Sequence, residues 1–303
     1  MENACPYVII MIIRKEHIKM KKEIKITDKL LKNYIEYLHE QEKSQSTINS
    51  YKRELFSLQM YIDQYPLTKE KLIAYKAILT NQYTPSTCNV AIAAINSFLR
   101  FVGREDLAIK PLRVQKQIFE NQDKELSKKD YNKLVRAAII NGDERTALAV
   151  QTICATGIRV SELKYITTES LKNGQAHVYN KGKNRVIFIP KSLIQMLKKY
   201  VINHNIASGP IFVTRNNKPL DRSNLWKSMK QLCSVAGVKP SKVYPHNLRH
   251  LFARTYHEQQ KDIGRLADIL GHSNINTTRI YTRESETVFA KQIEGLNLVG
   301  NTT

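Results

Sequence analysis

The chain has 303 residues, of which 42% are hydrophobic, and 48 Lys and Arg against 27 Asp and Glu give it a formal net charge of +21 at pH 7. A chain of this length is longer than one domain of average size, which predicts two domains. A charge of this size would repel itself unless a polyanion were the partner, so nucleic acid is the leading candidate and an anionic membrane surface the second.

The first residues carry an apolar run, Tyr7 to Ile13, which is too short to span a bilayer. Basic residues follow this run instead of preceding it, so it is a poor signal peptide. We interpret residues 1–24 as an N-terminal extension. A clean helical pattern begins at Met20, which leads to the hypothesis that Met20 is the native start. Peptides upstream of Met20 in the native protein would contradict it.

A helical bundle is predicted for the first domain, residues 25–105. Apolar residues recur at helical spacing over residues 27–42, 46–62, 68–79 and 84–103. Ser46 is expected to cap the second helix, and Thr84 followed by Pro85 is typical of the start of the fourth. Residues 106–125 lack periodicity and contain Pro111, so they are predicted to be the linker between the domains.

The second domain is predicted to span residues 126–303. Ser127 with Asp130 is typical of a capping box, which would open a helix that ends at Ile140. A further apolar helix is predicted over residues 144–156, directly before Gly157. Other helices are predicted over residues 193–203, 222–236 and 263–270.

The spacing of apolar residues changes from a period of 3.6 residues to a period of two, which predicts a β-hairpin in this domain. Asn173 and Gly174 give a strong turn signal, and strands are expected to end at Tyr179 and to run over residues 185–189. Residues 211–214 predict one more short strand. The predicted fold class is therefore mainly α with a small antiparallel β-sheet in the second domain. The four cysteines lie far apart, which indicates neither a disulfide framework nor a zinc site and is compatible with a reducing cytoplasm.

Residues 244–282 concentrate side chains that can bind, protonate or attack a phosphate. Pro245 suits the first turn of a helix, so His246, Arg249 and His250 would share one helical face. This face would be cationic and rich in hydrogen-bond donors.

The remaining reactive side chains come in a fixed order along the chain. Arg159 lies upstream in the segment ATGIRVSEL, three residues before Glu162. A helix that ends at Gly271 would place His272 directly after it. Tyr281 follows nine residues later.

This ordered set resembles the tyrosine recombinases, also called the phage integrase family, over about residues 27–298. The resemblance implies a two-domain DNA clamp, with a helical core-binding domain opposite the catalytic domain. It places a catalytic lysine at the hairpin tip, where Lys181 matches, although Lys183 lies two residues on and Asn180 stands where relatives often have glycine. The catalytic residues that the resemblance implies are Arg159, Lys181, His246, Arg249, His272 and Tyr281, the last as nucleophile. Glu162 matches an acidic residue of the same family motif, which would orient Arg159 through a charge-assisted pair.

The activity implied by the resemblance is cutting and rejoining of DNA through a 3′-phosphotyrosyl intermediate, without a cofactor, a metal or ATP. The implied partners are double-stranded DNA with short inverted-repeat core sites and three further copies of the chain on paired sites. Residues 287–298 would then dock on a neighbouring subunit. The reaction would serve integration, excision or, as the preferred subtype, cointegrate resolution of a mobile element. A type IB topoisomerase and a catalytically silent DNA-binding regulator are the alternatives.

Overall fold

The computed structural model describes residues 23–114, 124–180, 183–272, 274–282, 290, 291 and 293–296, and the chain divides into two units, Met1–Lys116 and Gln117–Thr303. Each unit has its own buried hydrophobic core. Nearly all of the predicted N-terminal extension, including Met20, lies outside the described residues.

Four α-helices make up most of the described part of the first unit. They are α1 (Asp28–Glu40), α2 (Gln45–Ile62), α3 (Lys69–Gln82) and α4 (Pro85–Phe101). Thr84 caps α4 and Pro85 occupies its first turn, as predicted. The prediction that Ser46 caps α2 is wrong. Ser44 is the cap, because its hydroxyl accepts a hydrogen bond from the Thr47 amide and the helix therefore begins before Ser46.

The core of the first unit continues beyond α4 into the predicted linker. Leu107 and Ile109 are buried against the bundle. The side-chain amide of Asn96 donates to the Ile109 carbonyl at 2.8 Å and accepts from the Ile109 amide at 2.9 Å. These two bonds satisfy the backbone groups of Ile109, which lies in no helix or strand. The start of the segment predicted as linker therefore packs on the first unit.

The second unit is mostly helical. Its helices are α5 (Lys128–Ile140), α6 (Glu144–Thr156), α7 (Thr168–Asn173), α8 (Lys191–Asn203), α9 (Arg222–Ala236), α10 (Pro245–Gln260), α11 (Ile263–Leu270) and α12 (Ile275–Thr278). The capping box of Ser127 and Asp130 is present at the start of α5, as predicted. Gly157 ends α6 in the left-handed conformation, with φ +65°. The predicted boundaries of α9 and α11 are also confirmed.

The hairpin consists of β1 (Gln175–Asn180) and β2 (Lys183–Phe188), which pair antiparallel and form the only sheet in the described part of the chain. Asn173 and Gly174 turn the chain into β1, as predicted. They end α7, a six-residue helix that the sequence pattern did not predict, and Gly174 is its left-handed cap.

The strand predicted over residues 211–214 does not form. Val213 makes one isolated antiparallel bridge to Pro219, and Pro210 makes another to Thr167. A proline nitrogen cannot donate a hydrogen bond, so a ladder cannot continue at these positions.

The fold class expected from the sequence, mostly α with a small antiparallel sheet, is confirmed. None of the described helices is both long enough and apolar enough to cross a membrane. The C-terminal segment 287–298 lies largely outside the described residues. Within it, Ile293 and Leu296 are 54% and 57% exposed.

Candidate active site

The N-terminal half of α10 carries three of the residues that the sequence singled out. Pro245 occupies the first turn of this helix, as predicted. The rings of His246 and His250 lie edge to face, with their centroids 4.7 Å apart. Arg249, one turn from His246 along the helix, is only 1% exposed. The helical spacing therefore brings the three side chains together.

Arg249 is held by hydrogen bonds to two helix ends. Its Nη1 donates to the carbonyl of Gly157 at 2.6 Å, and its Nη2 donates to the carbonyl of Leu270 at 2.7 Å. Both acceptors are among the last carbonyls of helices that end in left-handed glycines, where no intrahelical donor is available. Arg249 therefore replaces the missing donors of α6 and α11. Its Nε has no hydrogen-bond partner among the described residues.

His272 follows the end of α11 and contacts Arg249 directly. Its Nε2 lies 3.0 Å from Arg249 Nη2, and its Nδ1 lies 2.9 Å from the hydroxyl of Thr278. Because a guanidinium can only donate, Nε2 must accept this bond, and Nδ1 then carries the proton that the ring donates to Thr278. The two contacts fix both the orientation and the tautomer of the imidazole.

Arg159 is joined to a buried carboxylate, as the sequence predicted. Glu162, 1% exposed, accepts hydrogen bonds from the Arg159 backbone amide at 2.8 Å and from Arg159 Nη1 at 3.0 Å. Arg185 on β2 donates to Oε2 of this carboxylate, the oxygen that also accepts from the Arg159 amide. Burial alone would raise the pKa of Glu162, but the amide of Arg159 and the charge of Arg185 outweigh burial, so this pKa lies below its usual value.

Tyr281 lies in a short 3₁₀ helix, Arg279–Thr282, and is 4% exposed. Its ring meets the ring of His250 edge to face at 4.6 Å and stacks on His272 at 5.9 Å. Leu266 and Leu270 of α11 belong to the same small hydrophobic cluster. The tyrosine is therefore packed between two imidazoles and an apolar surface.

The histidines of this cluster favour their neutral form. Burial lowers the pKa of His250 to about 4, and the neighbouring His246 and Arg249 act in the same direction. Burial and the charges of Arg249 and Arg159 likewise lower the pKa of His272 to about 4. Neutral imidazoles can accept a proton, which is the form that a general base requires.

Burial also lowers the pKa of Arg249, to about 10. The positive charge of Arg159 contributes to this shift, and Tyr281 opposes it. The guanidinium still carries its charge at neutral pH. A buried cation beside a second cation favours the arrival of an anion.

A cleft of about 480 Å³ opens beside these residues. Arg159, His246 and Arg249 line it, together with Tyr244 and Arg222, the first residue of α9. Three guanidinium groups around one cleft give it the charge and the donors that suit a phosphate group.

The structure thus brings together five of the six predicted site residues, Arg159, His246, Arg249, His272 and Tyr281. The sixth, Lys181, lies outside the described residues. Within the described part of the chain, no group of three or more His, Cys, Asp or Glu side chains could hold a metal ion.

The sequence predicts no role for Arg185 or Arg222, and for His250 it predicts only a place on the cationic face of α10. Of the two arginines, only Arg185 left a readable signal. It alternates with Ile187 and Ile189, so an arginine stands on the apolar face of a strand, and such a charge needs a partner.

Comparison with protein families matches residues 124–287 to the model described as the phage integrase family. Residues 31–106 match the model described as the phage integrase N-terminal SAM-like domain. The two matched ranges fall in the second and first structural units, respectively.

Among curated proteins, the chain is similar to the tyrosine recombinase XerA of Pyrococcus furiosus, with 28% identity over 290 residues that cover 92% of this chain and 98% of that protein. It is also similar to the tyrosine recombinase XerD of Staphylococcus aureus, with 30% identity over 293 residues that cover 86% of this chain and 96% of that protein.

Solved structures share the fold at lower identity. A lambda integrase dimer bound to a COC′ core site gives a TM-score of 0.70 at 16% identity, covering 92% of this chain and 81% of that one. The XerH recombinase in a pre-cleavage complex with its difH substrate gives a TM-score of 0.66 at 19% identity, covering 88% of this chain and 84% of that one.

Proposed function

The chain belongs to the phage integrase family, the tyrosine recombinases, and on that premise we propose that it is a site-specific recombinase that cuts and rejoins double-stranded DNA. The proposed intermediate is a phosphotyrosyl link between Tyr281 and the 3′ phosphate of the cut strand. The observation that carries the proposal is the meeting of Tyr281 with His272 and the buried Arg249, beside a cleft that also holds Arg159.

In the first step, the phenolic oxygen of Tyr281 attacks the phosphorus and the bond from phosphorus to the 5′ oxygen breaks. Arg159 and Arg249 bind the non-bridging oxygens and stabilise the charge of the pentavalent transition state. Because Tyr281 is 4% exposed, the helix Arg279–Thr282 has to shift when DNA binds.

Two protons move in this step. His246 is the candidate that takes the proton of the phenol, because its lowered pKa favours the neutral form. His272 binds Arg249 and Thr278 through its two ring nitrogens, so its role is to hold Arg249 beside the phosphate. Lys181 gives a proton to the departing 5′ oxygen. Rejoining is the reverse reaction with a different 5′ hydroxyl. The phosphotyrosyl link retains the energy of the broken phosphodiester, so we propose that neither ATP nor a metal ion is required.

The proposed substrate is DNA with short inverted-repeat core sites. Support comes from the net charge of +21 and from the structural relatives, of which the XerH and lambda integrase structures contain bound DNA. We further propose that the reaction serves integration, excision or cointegrate resolution of a mobile element. The XerA and XerD relatives align over nearly their whole length, which supports a site-specific recombinase activity for the aligned chain.

The proposed active assembly is a tetramer on two DNA sites. One active site supplies one tyrosine, whereas strand exchange requires four cleaved positions. A lambda integrase tetramer bound to a Holliday junction has the same fold, with a TM-score of 0.69 at 17% identity, covering 88% of this chain and 80% of that one. The exposed Ile293 and Leu296 support a docking role for the C-terminal segment. Deleting residues 287–303 should spare binding to a single site and abolish the pairing of two sites in sedimentation analysis.

The experiment that tests the activity starts from duplexes selected for binding out of a pool with a randomised central segment. A nick placed next to each candidate position in turn traps any covalent product, because the short fragment that carries the released 5′ hydroxyl diffuses away and cannot be rejoined. Protein that migrates with labelled DNA on a denaturing gel supports the proposal. Absence of this product at every position would refute it, and relaxation of supercoils by a monomer without partner exchange would favour the topoisomerase alternative.

A further inference from the structure

Arg185 is a charged residue in an apolar position. It lies on the face of β2 that also carries the buried Ile187, and its side chain is 12% exposed. Across the hairpin it pairs with Val178, which is buried as well. A guanidinium at such a position destabilises the fold unless its charge and its donors are satisfied.

Two contacts bind its terminal nitrogens, and both belong to the candidate active site, whereas its Nε has no hydrogen-bond partner among the described residues. Its Nη2 donates to Glu162 Oε2, while the other oxygen of this carboxylate accepts from Arg159 Nη1 at 3.0 Å. Its Nη1 donates to the carbonyl of Ile269 at 2.7 Å, in the last turn of α11. Arg185 therefore joins the carboxylate that holds Arg159 to the helix that precedes His272.

Two arginines bind the last two carbonyls of α11. The Ile269 carbonyl accepts from Arg185, and the next carbonyl, that of Leu270, accepts from Arg249. Gly271 follows at φ +65°, and a Cβ added to it would lie 2.8 Å from Cδ of Arg185. The Arg185 side chain thus packs directly against the glycine that turns the chain into His272.

Charge sharing gives Arg185 a second effect on Arg159. With both guanidiniums present, the single negative charge of Glu162 is divided between two cations. Without Arg185, Arg159 alone would neutralise this carboxylate, and less of its positive charge would be available to a phosphate.

We propose that Arg185 is a positioning residue of the strand-transfer reaction that acts through Glu162 on Arg159. This inference rests on the proposed function. Arg185 need not touch DNA, because its two terminal nitrogens are bound to protein acceptors. It supplies the geometry and the free charge with which Arg159 meets the phosphate.

The first test compares Arg185→Met with the parent protein on the selected nicked duplex, under single-turnover conditions. Arg185→Met keeps the length of the side chain and removes its charge and donors. The expected result is a cleavage rate lower by about 10- to 100-fold, the range for loss of a residue that orients an active group, with DNA affinity unchanged. Arg215→Met removes an exposed arginine of the same unit and should cleave at the parent rate. Thermal unfolding confirms that each variant is folded.

The second test is a double-mutant cycle with Arg159→Ala. If Arg185 acts through Arg159, the double variant cleaves no more slowly than Arg159→Ala alone. A neutral methylphosphonate at the cleaved position provides an independent measure. It removes the charge that Arg159 neutralises, so the deficit of Arg185→Met should shrink, whereas a deficit caused by loosened packing would remain.

The outcomes separate this inference from the proposed function. A parent protein that forms no covalent complex on any nicked duplex overturns the proposed function. A parent that cleaves while Arg185→Met cleaves equally fast overturns only the role of Arg185. Multiplicative rate losses in the cycle, or an undiminished deficit on methylphosphonate DNA, would also overturn it.

Discussion

The two units of this protein bury different kinds of side chains. The core of the first unit consists of hydrophobic residues packed around α4. Among the described residues, all of the buried polar or charged side chains lie in the second unit, and these are Thr146, Thr152, Thr156, Glu162, Ser170, Asn247, Arg249 and Thr278. Buried charge seldom benefits stability, so its concentration in one unit marks where chemistry rather than packing determines the sequence.

The buried polar groups of the second unit are themselves of two kinds. Thr152 and Thr156 donate to carbonyls four residues earlier in the same helix, so their bonds are local. Glu162 and Arg249 also bond to partners that are distant in the chain, and Glu162 contacts Arg185, 23 residues away. Arg249, for example, contacts Gly157, 92 residues away. Only the second kind assembles a site.

The largest effect is expected for Tyr281→Phe, which removes one oxygen from the buried cluster. This variant should bind DNA as the parent does and form no covalent complex, because no nucleophile remains. The measurement is the denaturing gel with the nicked duplex. Tyr256→Phe, in the same hydrophobic cluster, serves as the control and should cleave. Covalent product from Tyr281→Phe would place the nucleophile elsewhere.

The second prediction concerns the two arginines that line the cleft. Arg159→Ala and Arg249→Ala should each lower the cleavage rate by about 100- to 1000-fold, the cost of one transition-state donor, while DNA binding weakens much less. Single-turnover rates, with folding checked by circular dichroism, provide the measurement. Arg249→Lys is the second variant at the buried position, because it keeps the charge but lacks the fork. Near-parent rates in folded variants would exclude the catalytic roles.

The third prediction addresses the apolar core of the first unit. Phe98 is 0% exposed, so Phe98→Ala should lower the free energy of unfolding by about 3–5 kcal/mol. Phe56 lies in the same bundle but is 56% exposed, so Phe56→Ala should change the free energy of unfolding by less than about 0.5 kcal/mol. Urea unfolding followed by circular dichroism distinguishes the two. Equal losses would show that burial does not govern this unit.

The fourth prediction concerns pH. The pKa of His250 and of His272 is about 4 in the folded protein, against an ordinary value of 6.5. As pH falls below 6.5 the unfolded chain binds protons first, so the free energy of unfolding of the second unit should decrease progressively towards pH 4. Trp226, the single tryptophan of the chain, reports on this unit by fluorescence during urea unfolding.

Two asparagine variants provide the check on this pH dependence. His250→Asn and His272→Asn should each flatten the decrease in stability, because they remove a group that the unfolded chain protonates. His177→Asn replaces an exposed histidine of the same unit and should leave the slope as it is. A slope that survives in the double variant of His250 and His272 would assign the pH dependence to other groups.

The local elements could be read from the sequence because their signals are local. Capping residues such as Thr84 and Ser127, and glycines such as Gly157 and Gly271, lie within one turn of the helix ends that they determine. The order of Arg159, Arg249 and Tyr281 was likewise visible in the chain.

The features that the sequence did not predict depend on a choice between chemically similar residues, on an element too short to show a pattern, or on contacts between residues distant in the chain. Ser44 and Ser46 are chemically alike, and only the fold selects Ser44 as the cap. The six residues of α7 are too few to display a period. Arg185 meets Glu162 and Ile269 across 23 and 84 residues, and no spacing rule covers such separations.

Gly157 has a consequence for the gene as well as for the fold. Its backbone has φ +65°, and a Cβ at this position would lie 2.5 Å from the ring of Phe252. Its carbonyl is also the acceptor for Arg249. Every single-base change that alters the meaning of a glycine codon introduces a side chain or a stop. In a screen of random mutants for loss of recombination, codon 157 should therefore be a hotspot at which no missense allele is silent.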